Sequence, residues 1–169
     1  MIHLYTGQGK GKTSAAIGLG IRLLGNEAQV LLVSFLKDGS SGEAVWLETN
    51  SRITHFCQPD LHKFIKDLDV EELEQTRKQQ LSLFHEAKQQ AGGFDAVILD
   101  EFTDLLELEM LSIEEAVAGI KVISLACEVI ITGHQAPAEL ITLADYYTEF
   151  VEHKHPYRLG VKARRGIEY

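Results

Sequence analysis

The sequence predicts an α/β protein in which a mostly parallel sheet of about six strands is sandwiched by helices. Apolar, strand-like runs alternate with helical patterns from one end of the chain to the other. The first run leads into a glycine-rich loop and then a helix. A length of 169 residues, with 45% hydrophobic and 24% charged residues, suits one globular core. We therefore expect residues 1–169 to form a single domain.

The strands follow from short apolar runs between turn signals. Val30–Phe35 is an almost continuous apolar run, interrupted only by Ser34, which is typical of a parallel strand buried on both faces. Ile53–Cys57 is a shorter and weaker run. The six predicted strands are Ile2–Tyr5, Val30–Phe35, Ile53–Cys57, Ala96–Leu99, Val129–Thr132 and Tyr146–Val151.

The helices follow from apolar periodicity and capping residues. Asp69 and Glu72 form a capping box that opens a long helix, and Gly92-Gly93 ends it. Its inner stripe is predicted to be Val70, Leu73, Leu81, Phe84 and Ala91. The other predicted helices are Lys12–Leu24, one from Ser112 to about Ile123, and a short one opened by Pro137.

The loop after the first strand predicts a nucleotide site. Its glycines let successive backbone N–H groups point at one phosphate, Lys12 adds positive charge, and Thr13 offers a hydroxyl to Mg²⁺. The usual pattern begins with Gly where this chain has Thr6, so the loop is one residue short. The alternative is a plain glycine turn with incidental lysines. The candidate nucleotide-binding residues are Thr6, Gly7, Gln8, Gly9, Lys10, Gly11, Lys12, Thr13 and Ser14.

A second candidate group ends the strand Ala96–Leu99. Asp100 and Glu101 follow this apolar run, and phosphate-loop enzymes use such an Asp to hold Mg²⁺ or its waters. Asp100 and Thr13 are therefore the predicted metal residues. Glu101 is either a further group around the metal or a base that positions water. Acidic residues also end many strands as surface turns, so the prediction depends on pairing with the loop.

His134 follows the strand Val129–Thr132 and is expected at the same carboxyl edge, where open α/β sheets bind ligands. It is either a phosphate sensor or a surface-loop histidine. The tail from His153 is basic, and a solvated tail explains this equally well. His55, Cys57 and His62 have spacing that a zinc site can use, but no fourth ligand is evident nearby.

Charge and cysteine content narrow the function classes. A net charge of −9 argues against general nucleic-acid binding, which requires a broad basic face. Two cysteines are too few for a disulfide framework and indicate a reducing compartment. Neither a signal peptide nor a long apolar span is evident, so we expect a cytoplasmic protein without membrane association.

With these residues identified, the chain resembles the ATP:corrinoid adenosyltransferases of the cobalamin pathway, the phosphate-loop type. The resemblance covers TGQGKGKTSAAIGLGIRLLG, VSFLKD with the following Gly42-Glu43, and FDAVILDE. It continues in ITGHQAPAELITLADYYTEF and KHPYRLGVKARRGIEY. It implies a RecA-like domain that transfers the 5′-deoxyadenosyl group of ATP to Co(I) of a corrinoid and releases tripolyphosphate.

The resemblance also implies site residues and partners. Lys12, Thr13, Asp100 and Glu101 are the expected catalytic group, and Lys10 and Glu43 join the nucleotide site. Mg²⁺, ATP and a corrinoid are the expected ligands. A flavoprotein or another reductant is expected to reduce the corrinoid cobalt to Co(I). A homodimer is typical of the family.

This chain departs from the family pattern at the corrinoid end. Family members usually carry Arg at position 134 and Asn at position 103, where this chain has His and Thr. They usually carry a Trp in the segment before the long helix, where residues 56–64 of this chain have none, and often an N-terminal extension, which we expect this chain to lack. Phe64 and His62 are the candidate corrinoid contacts, although ordinary core packing is the more frequent role for a single Phe such as Phe64. The alternatives are a nucleotide-dependent switch or phosphohydrolase and, on the loop alone, a nucleoside kinase.

Overall fold

The computed structural model describes residues 1–167, and Glu168 and Tyr169 lie outside that range. Within it, six strands form one sheet in the order β3-β2-β4-β5-β1-β6, and all five strand pairings are parallel. The predicted α/β class with a parallel sheet is therefore confirmed. The strands are β1 (Ile2–Thr6), β2 (Val30–Ser34), β3 (Ile53–Phe56), β4 (Ala96–Asp100), β5 (Glu128–Thr132) and β6 (Tyr146–Glu149).

Helices cover both faces of this sheet. A core on one face joins alternate residues of β2 and β4, such as Leu32 and Ile98, to Ile17 and Leu47 from the first two helices. The opposite core joins Leu31 and the other alternate positions to helices from the second half of the chain. The helices are α1 (Lys12–Leu24), α2 (Gly42–Leu47), α3 (Val70–Gln90), α4 (Phe102–Glu107), α5 (Ile113–Ser124) and α6 (Ala138–Leu143).

A close helix contact fixes the second core. Phe84 of α3 is almost fully buried and packs against Phe102, with ring centroids 4.9 Å apart. Gly119 of α5 lies under the Phe84 ring, and a Cβ at position 119 would overlap it. The absence of a side chain at Gly119 therefore lets α3 and α5 approach closely.

The predicted inner stripe of α3 was wrong at its N-terminal end. Val70 and Leu73 are 87% and 40% exposed, because the first turns of the helix extend past the core. The next turns bury polar residues, including Gln80, whose amide donates to Gln58 Oε1 (2.6 Å) and accepts from the Leu36 N–H (3.0 Å). A hydrophobicity stripe cannot identify a core position filled by a satisfied amide.

The sequence reading also missed α2 and α4. Each has six residues, too few for a helical period to be recognised. The predicted strand ends differ from those observed by up to two residues. Within residues 1–167, no helix combines the length and the apolar character required to cross a bilayer.

Candidate active site

The glycine-rich loop joins β1 to α1 and is fastened to two neighbouring segments. The Gly7 N–H donates to the His134 carbonyl (2.9 Å), and the Gly9 N–H donates to the Phe150 carbonyl (2.7 Å). Gly7 and Gly11 adopt left-handed φ angles of 107° and 116°. A Cβ on Gly9 would lie 2.7 Å from the Phe150 carbonyl oxygen. Larger residues are thus excluded by backbone geometry at Gly7 and Gly11 and by the neighbouring chain at Gly9.

The N-terminus of α1 has no side-chain cap. Gly11 stands at its N-cap and provides no side-chain hydrogen bond. By contrast, Asp69 and Ser112 cap α3 and α5 through their side chains. Uncapped N–H groups at a helix N-terminus, together with the helix dipole, attract anions. The loop therefore has the geometry of a phosphate site.

Two lysines of the loop are held by backbone carbonyls. Lys12 Nζ donates to the carbonyls of Gly7 (2.7 Å) and Gly9 (3.1 Å). Lys10 Nζ reaches the Ile167 carbonyl (2.6 Å). Partial burial lowers the pKa of Lys12 below its ordinary value, and nearby carboxylates offset only part of that shift. Each ammonium group therefore has a backbone carbonyl partner that a phosphate oxygen can replace.

Asp100, at the end of β4, forms a buried hydrogen-bond centre. Its Oδ1 accepts from Thr13 Oγ1 (2.8 Å) and Thr132 Oγ1 (2.7 Å). Strand β5 lies between β1 and β4 in the sheet, yet the start of α1 brings Thr13 to this carboxylate. The two predicted metal residues, Thr13 and Asp100, are thus brought together.

Lys37 completes this centre and was missed by sequence reasoning. Its Nζ lies 2.7 Å from Asp100 Oδ2 and 3.0 Å from Glu101 Oε1. Burial by itself lowers the pKa of Lys37, but the two carboxylates outweigh it and raise the pKa above that of an ordinary lysine. Its position two residues beyond an apolar strand was a usable signal, since Asp100 was recognised by a similar placement.

Glu101 lies beside the same centre in a left-handed conformation, with φ 59°. Its backbone N–H donates to Thr132 Oγ1 (2.9 Å), which helps to hold this uncommon geometry. Burial raises the pKa of the Glu101 carboxyl, and Lys37 offsets part of that shift. A carboxyl group whose proton affinity is raised is thereby placed at the carboxyl edge of the sheet.

His134 is paired with Asp104, which the sequence analysis did not identify. Asp104 Oδ2 lies 2.9 Å from His134 Nδ1, and its Oδ1 accepts the His134 backbone N–H (2.8 Å). The His134 side chain is half exposed, whereas that of Asp104 is 12% exposed. Gly133 leaves room for α4, because a Cβ there would overlap Thr103 Oγ1. That hydroxyl is buried without a hydrogen-bond partner among residues 1–167.

These groups surround one cavity of about 640 Å³. Gly166 and Ile167 close one side of it. Of the predicted site residues, Thr6, Gly7, Gln8, Gly9 and Asp100 do not line it, although Asp100 contacts Thr13 and Lys37, which do. The predicted residues that line the cavity are Lys10, Gly11, Lys12, Thr13, Ser14, Glu43, Glu101 and His134.

The predicted corrinoid residues are not part of this cavity. Phe64 is 77% exposed, with Lys66 Nζ 5.6 Å from its ring centroid, so the core-packing alternative for Phe64 was wrong. His62 is also exposed. Phe56, in contrast, packs against the core beneath α3.

Among the residues considered for zinc, His55 has both ring nitrogens engaged by other side chains. His55 Nδ1 lies 2.8 Å from Glu48 Oε1, and Nε2 lies 3.0 Å from Ser34 Oγ. No group of three or more His, Cys, Asp or Glu side chains suited to a metal occurs among residues 1–167. The histidine nitrogens therefore serve the packing of β3 against β2 and Glu48.

Comparison with known proteins assigns the family. The sequence profile of the ATP:corrinoid adenosyltransferases BtuR/CobO/CobP matches residues 1–169. The chain belongs to the ATP:corrinoid adenosyltransferase family. It is accordingly an enzyme of the transferase class.

Individual relatives agree with this assignment. The corrinoid adenosyltransferase of Escherichia coli K12 is 31% identical, over all of this chain and 85% of the relative. The corrinoid adenosyltransferase CobA of Salmonella typhimurium LT2 is 30% identical over the same shares.

Two solved structures share the fold. The flagellar accessory protein FlaH of Methanocaldococcus jannaschii has a TM-score of 0.56 at 14% identity, covering 88% of this chain and 69% of FlaH. The cytoplasmic domain of EssC has a TM-score of 0.53 at 17% identity, covering 96% of this chain and 33% of EssC. At such identities the likeness concerns the fold alone.

Proposed function

We propose that this protein transfers the 5′-deoxyadenosyl group of ATP to Co(I) of a corrinoid and releases tripolyphosphate. The observation that carries the proposal is the phosphate cavity at the start of α1, where Lys10, Lys12 and Lys37 converge with an uncapped helix N-terminus. This site suits a whole triphosphate, and family membership supplies the acceptor.

In this reaction the electron pair of Co(I) forms a bond to C5′ of ATP while the C5′–O bond breaks. The triphosphate leaves with that bonding pair, so negative charge grows on its departing oxygen. The protein assists by stabilising this charge and by aligning two large reactants. Lys12 and Lys10 exchange their carbonyl partners for phosphate oxygens, and the loop N–H groups add neutral donors. No protein nucleophile is required.

Residues at the end of β4 and the start of α1 fit Mg²⁺. Thr13 Oγ1 and Asp100 Oδ1 are oxygen atoms that can coordinate a metal, and they lie 2.8 Å apart. Glu101 is a neighbouring carboxylate. Oxygen donors of this kind, completed by waters and phosphate oxygens, suit Mg²⁺. Bound there, Mg²⁺ neutralises charge on the phosphates. Lys37 lies within ion-pair distance of both Asp100 and Glu101, and its ammonium is available to the same phosphates.

The corrinoid contacts are proposed for the segment before α3. Phe64 presents an exposed ring there, as an apolar wedge against the corrinoid requires, and His62 would lie near the corrinoid periphery. A flavoprotein or another reductant supplies the electron for Co(I). A reducing, cytoplasmic environment and a homodimeric enzyme accord with this proposal.

The experiment compares products. Incubation of the enzyme with Mg-ATP and pre-reduced corrinoid should yield adenosylated corrinoid and intact tripolyphosphate, resolved by anion-exchange chromatography. Lys12→Ala should lower the transfer rate by ~10²–10³, the usual effect of removing one group that stabilises transition-state charge. Lys78→Ala, an exposed lysine of α3, is the matched control.

The second candidate, a phosphohydrolase or nucleotide-dependent switch, is favoured by Glu101. Its raised pKa and its place beside the phosphate cavity also suit a group that activates water. ADP and orthophosphate as the main products would support this candidate and contradict adenosyl transfer.

A further inference from the structure

Asp104 fixes the orientation of the His134 ring. One carboxylate oxygen accepts the backbone N–H of residue 134 and the other pairs with Nδ1 of the ring, at 2.8 and 2.9 Å. Because both oxygens engage the same residue, the ring is held against rotation. The half-exposed His134 lines the phosphate cavity, and Asp104 is buried behind it.

This pairing determines where the ring carries its proton. An ionised carboxylate only accepts hydrogen bonds, so Nδ1 carries a hydrogen and donates it to Asp104. In the neutral ring, Nε2 then has a lone pair. The Nε2 atom has no hydrogen-bond partner within residues 1–167. Nε2 and a phosphate oxygen are then both hydrogen-bond acceptors, so they can form a hydrogen bond only after a proton is added to Nε2.

We propose that Asp104 is a positioning residue that holds His134 Nε2 toward the phosphates, and that nucleotide binding adds a proton to Nε2. The resulting imidazolium donates a charge-assisted hydrogen bond to a phosphate oxygen. This inference rests on the nucleotide site of the proposed function.

The surroundings of His134 are compatible with that uptake. Asp104 of α4 faces the ring directly, and the loop contributes the Gly7 N–H to the carbonyl of residue 134. A bound triphosphate adds several negative charges to this mixed set and favours the imidazolium. The other charged side chains that line the same cavity are Lys10, Lys12, Lys37, Glu43 and Glu101.

The test is calorimetric titration with Mg-ATP near pH 8, where an ordinary imidazole is neutral. Binding enthalpies measured in two buffers with different ionisation enthalpies give the number of protons taken up. The wild type should take up a large fraction of one proton per nucleotide. His134→Arg should bind with no uptake, since its charge is fixed. His85→Gln, which removes an exposed imidazole from α3, should retain the wild-type uptake.

Asp104→Asn provides the sharper comparison. Asn keeps an acceptor for the backbone N–H but turns its NH₂ toward Nδ1, so the neutral ring carries its proton on Nε2 instead. This variant should bind Mg-ATP without proton uptake and about 5–10-fold more weakly, because a neutral donor replaces a charged one. Ring ¹⁵N chemical shifts should show the change of tautomer in the free protein.

The outcomes separate the two proposals. Nucleotide binding by the wild type without proton uptake, or equal uptake by Asp104→Asn, would overturn the role of this pair and leave the nucleotide site intact. No Mg-ATP binding by the wild type would overturn the proposed function itself. If Asp104→Asn fails to fold, the wild type and His134→Arg still decide the question by their uptake.

Discussion

Replacing Lys37 with Met is expected to make the stability of the protein depend on Mg²⁺. The change removes a partly buried ammonium that lies 2.7 Å from Asp100 and 3.0 Å from Glu101 but keeps most of the side-chain volume. At an effective dielectric of ~20, each attraction is about 6 kcal/mol before the loss of hydration is counted. Since the cost of removing the charges from water cancels most of this attraction, breaking the ion-paired group should lower the free energy of unfolding by about 3 kcal/mol.

The assay is urea unfolding of Lys37→Met and wild type, with EDTA or with Mg²⁺. In EDTA the variant should lose about 3 kcal/mol of unfolding free energy. A cation bound to the uncompensated carboxylates at 100 times its Kd should restore roughly 2.7 kcal/mol. The wild type should respond less, because Lys37 already neutralises these groups. Lys78→Met, where the Lys78 side chain is 69% exposed, is the control and should change stability by about 0.5 kcal/mol or less.

The pH dependence has a defined sign. The folded-state pKa of Lys37 is raised, so its contribution is complete below the unfolded value of about 10.4 and disappears as pH rises through the folded pKa. Wild-type stability should therefore fall in the alkaline range more steeply than that of Lys37→Met. Equal destabilisation with and without Mg²⁺, together with parallel alkaline profiles, would refute the placement of this charged centre.

Three further results are expected. Glu101→Gln should retain adenosyl transfer to pre-reduced corrinoid but lose any ATP hydrolysis, because attack on carbon by Co(I) requires no base. Normal binding of both substrates without transfer would contradict this mechanism. Phe64→Ala should leave ATP affinity unchanged and slow transfer only when Co(II) corrinoid is reduced on the enzyme; equal slowing with supplied Co(I) would exclude the wedge. Gly119→Ala should lower the unfolding free energy by about 1–3 kcal/mol in urea, since its Cβ meets Phe84, while Gly92→Ala, in open space, should not.

The sequence was sufficient for the features that local chemistry controls. The phosphate loop and Asp100 follow from residue types at fixed spacing after apolar strands, and the structure brings Thr13 and Asp100 together. Lys37 and Asp104 were missed because their roles depend on partners 63 and 30 residues away in the chain. No spacing rule connects such pairs; they come together because β2, β4 and β5 are neighbours in the sheet.

The errors in the predicted inner face of α3 have a similar origin. Gln80 occupies a core position because Gln58 and the backbone of Leu36 satisfy its amide, which periodicity in hydrophobicity does not register. Val70 looked like an inner residue because it shares the apolar character of the stripe, yet the first turn of α3 has no layer to pack against. Tertiary contacts, rather than local propensity, decided both positions.

Because the phosphate loop is attached to Phe150, local unfolding of the edge strand β6 would also disturb the loop. β6 is exposed along its whole length, and within residues 1–167 it pairs only with β1. The residue after it holds the loop by two backbone hydrogen bonds, from Phe150 N–H to Thr6 and from Gly9 N–H to Phe150. A sub-global fluctuation that detaches β6 would thus release the Gly9 side of the loop, while the Gly7 contact with His134 and the remaining five strands stay in place. ATP, by holding the loop, should slow amide exchange at the edge of the sheet as well as at the ligand.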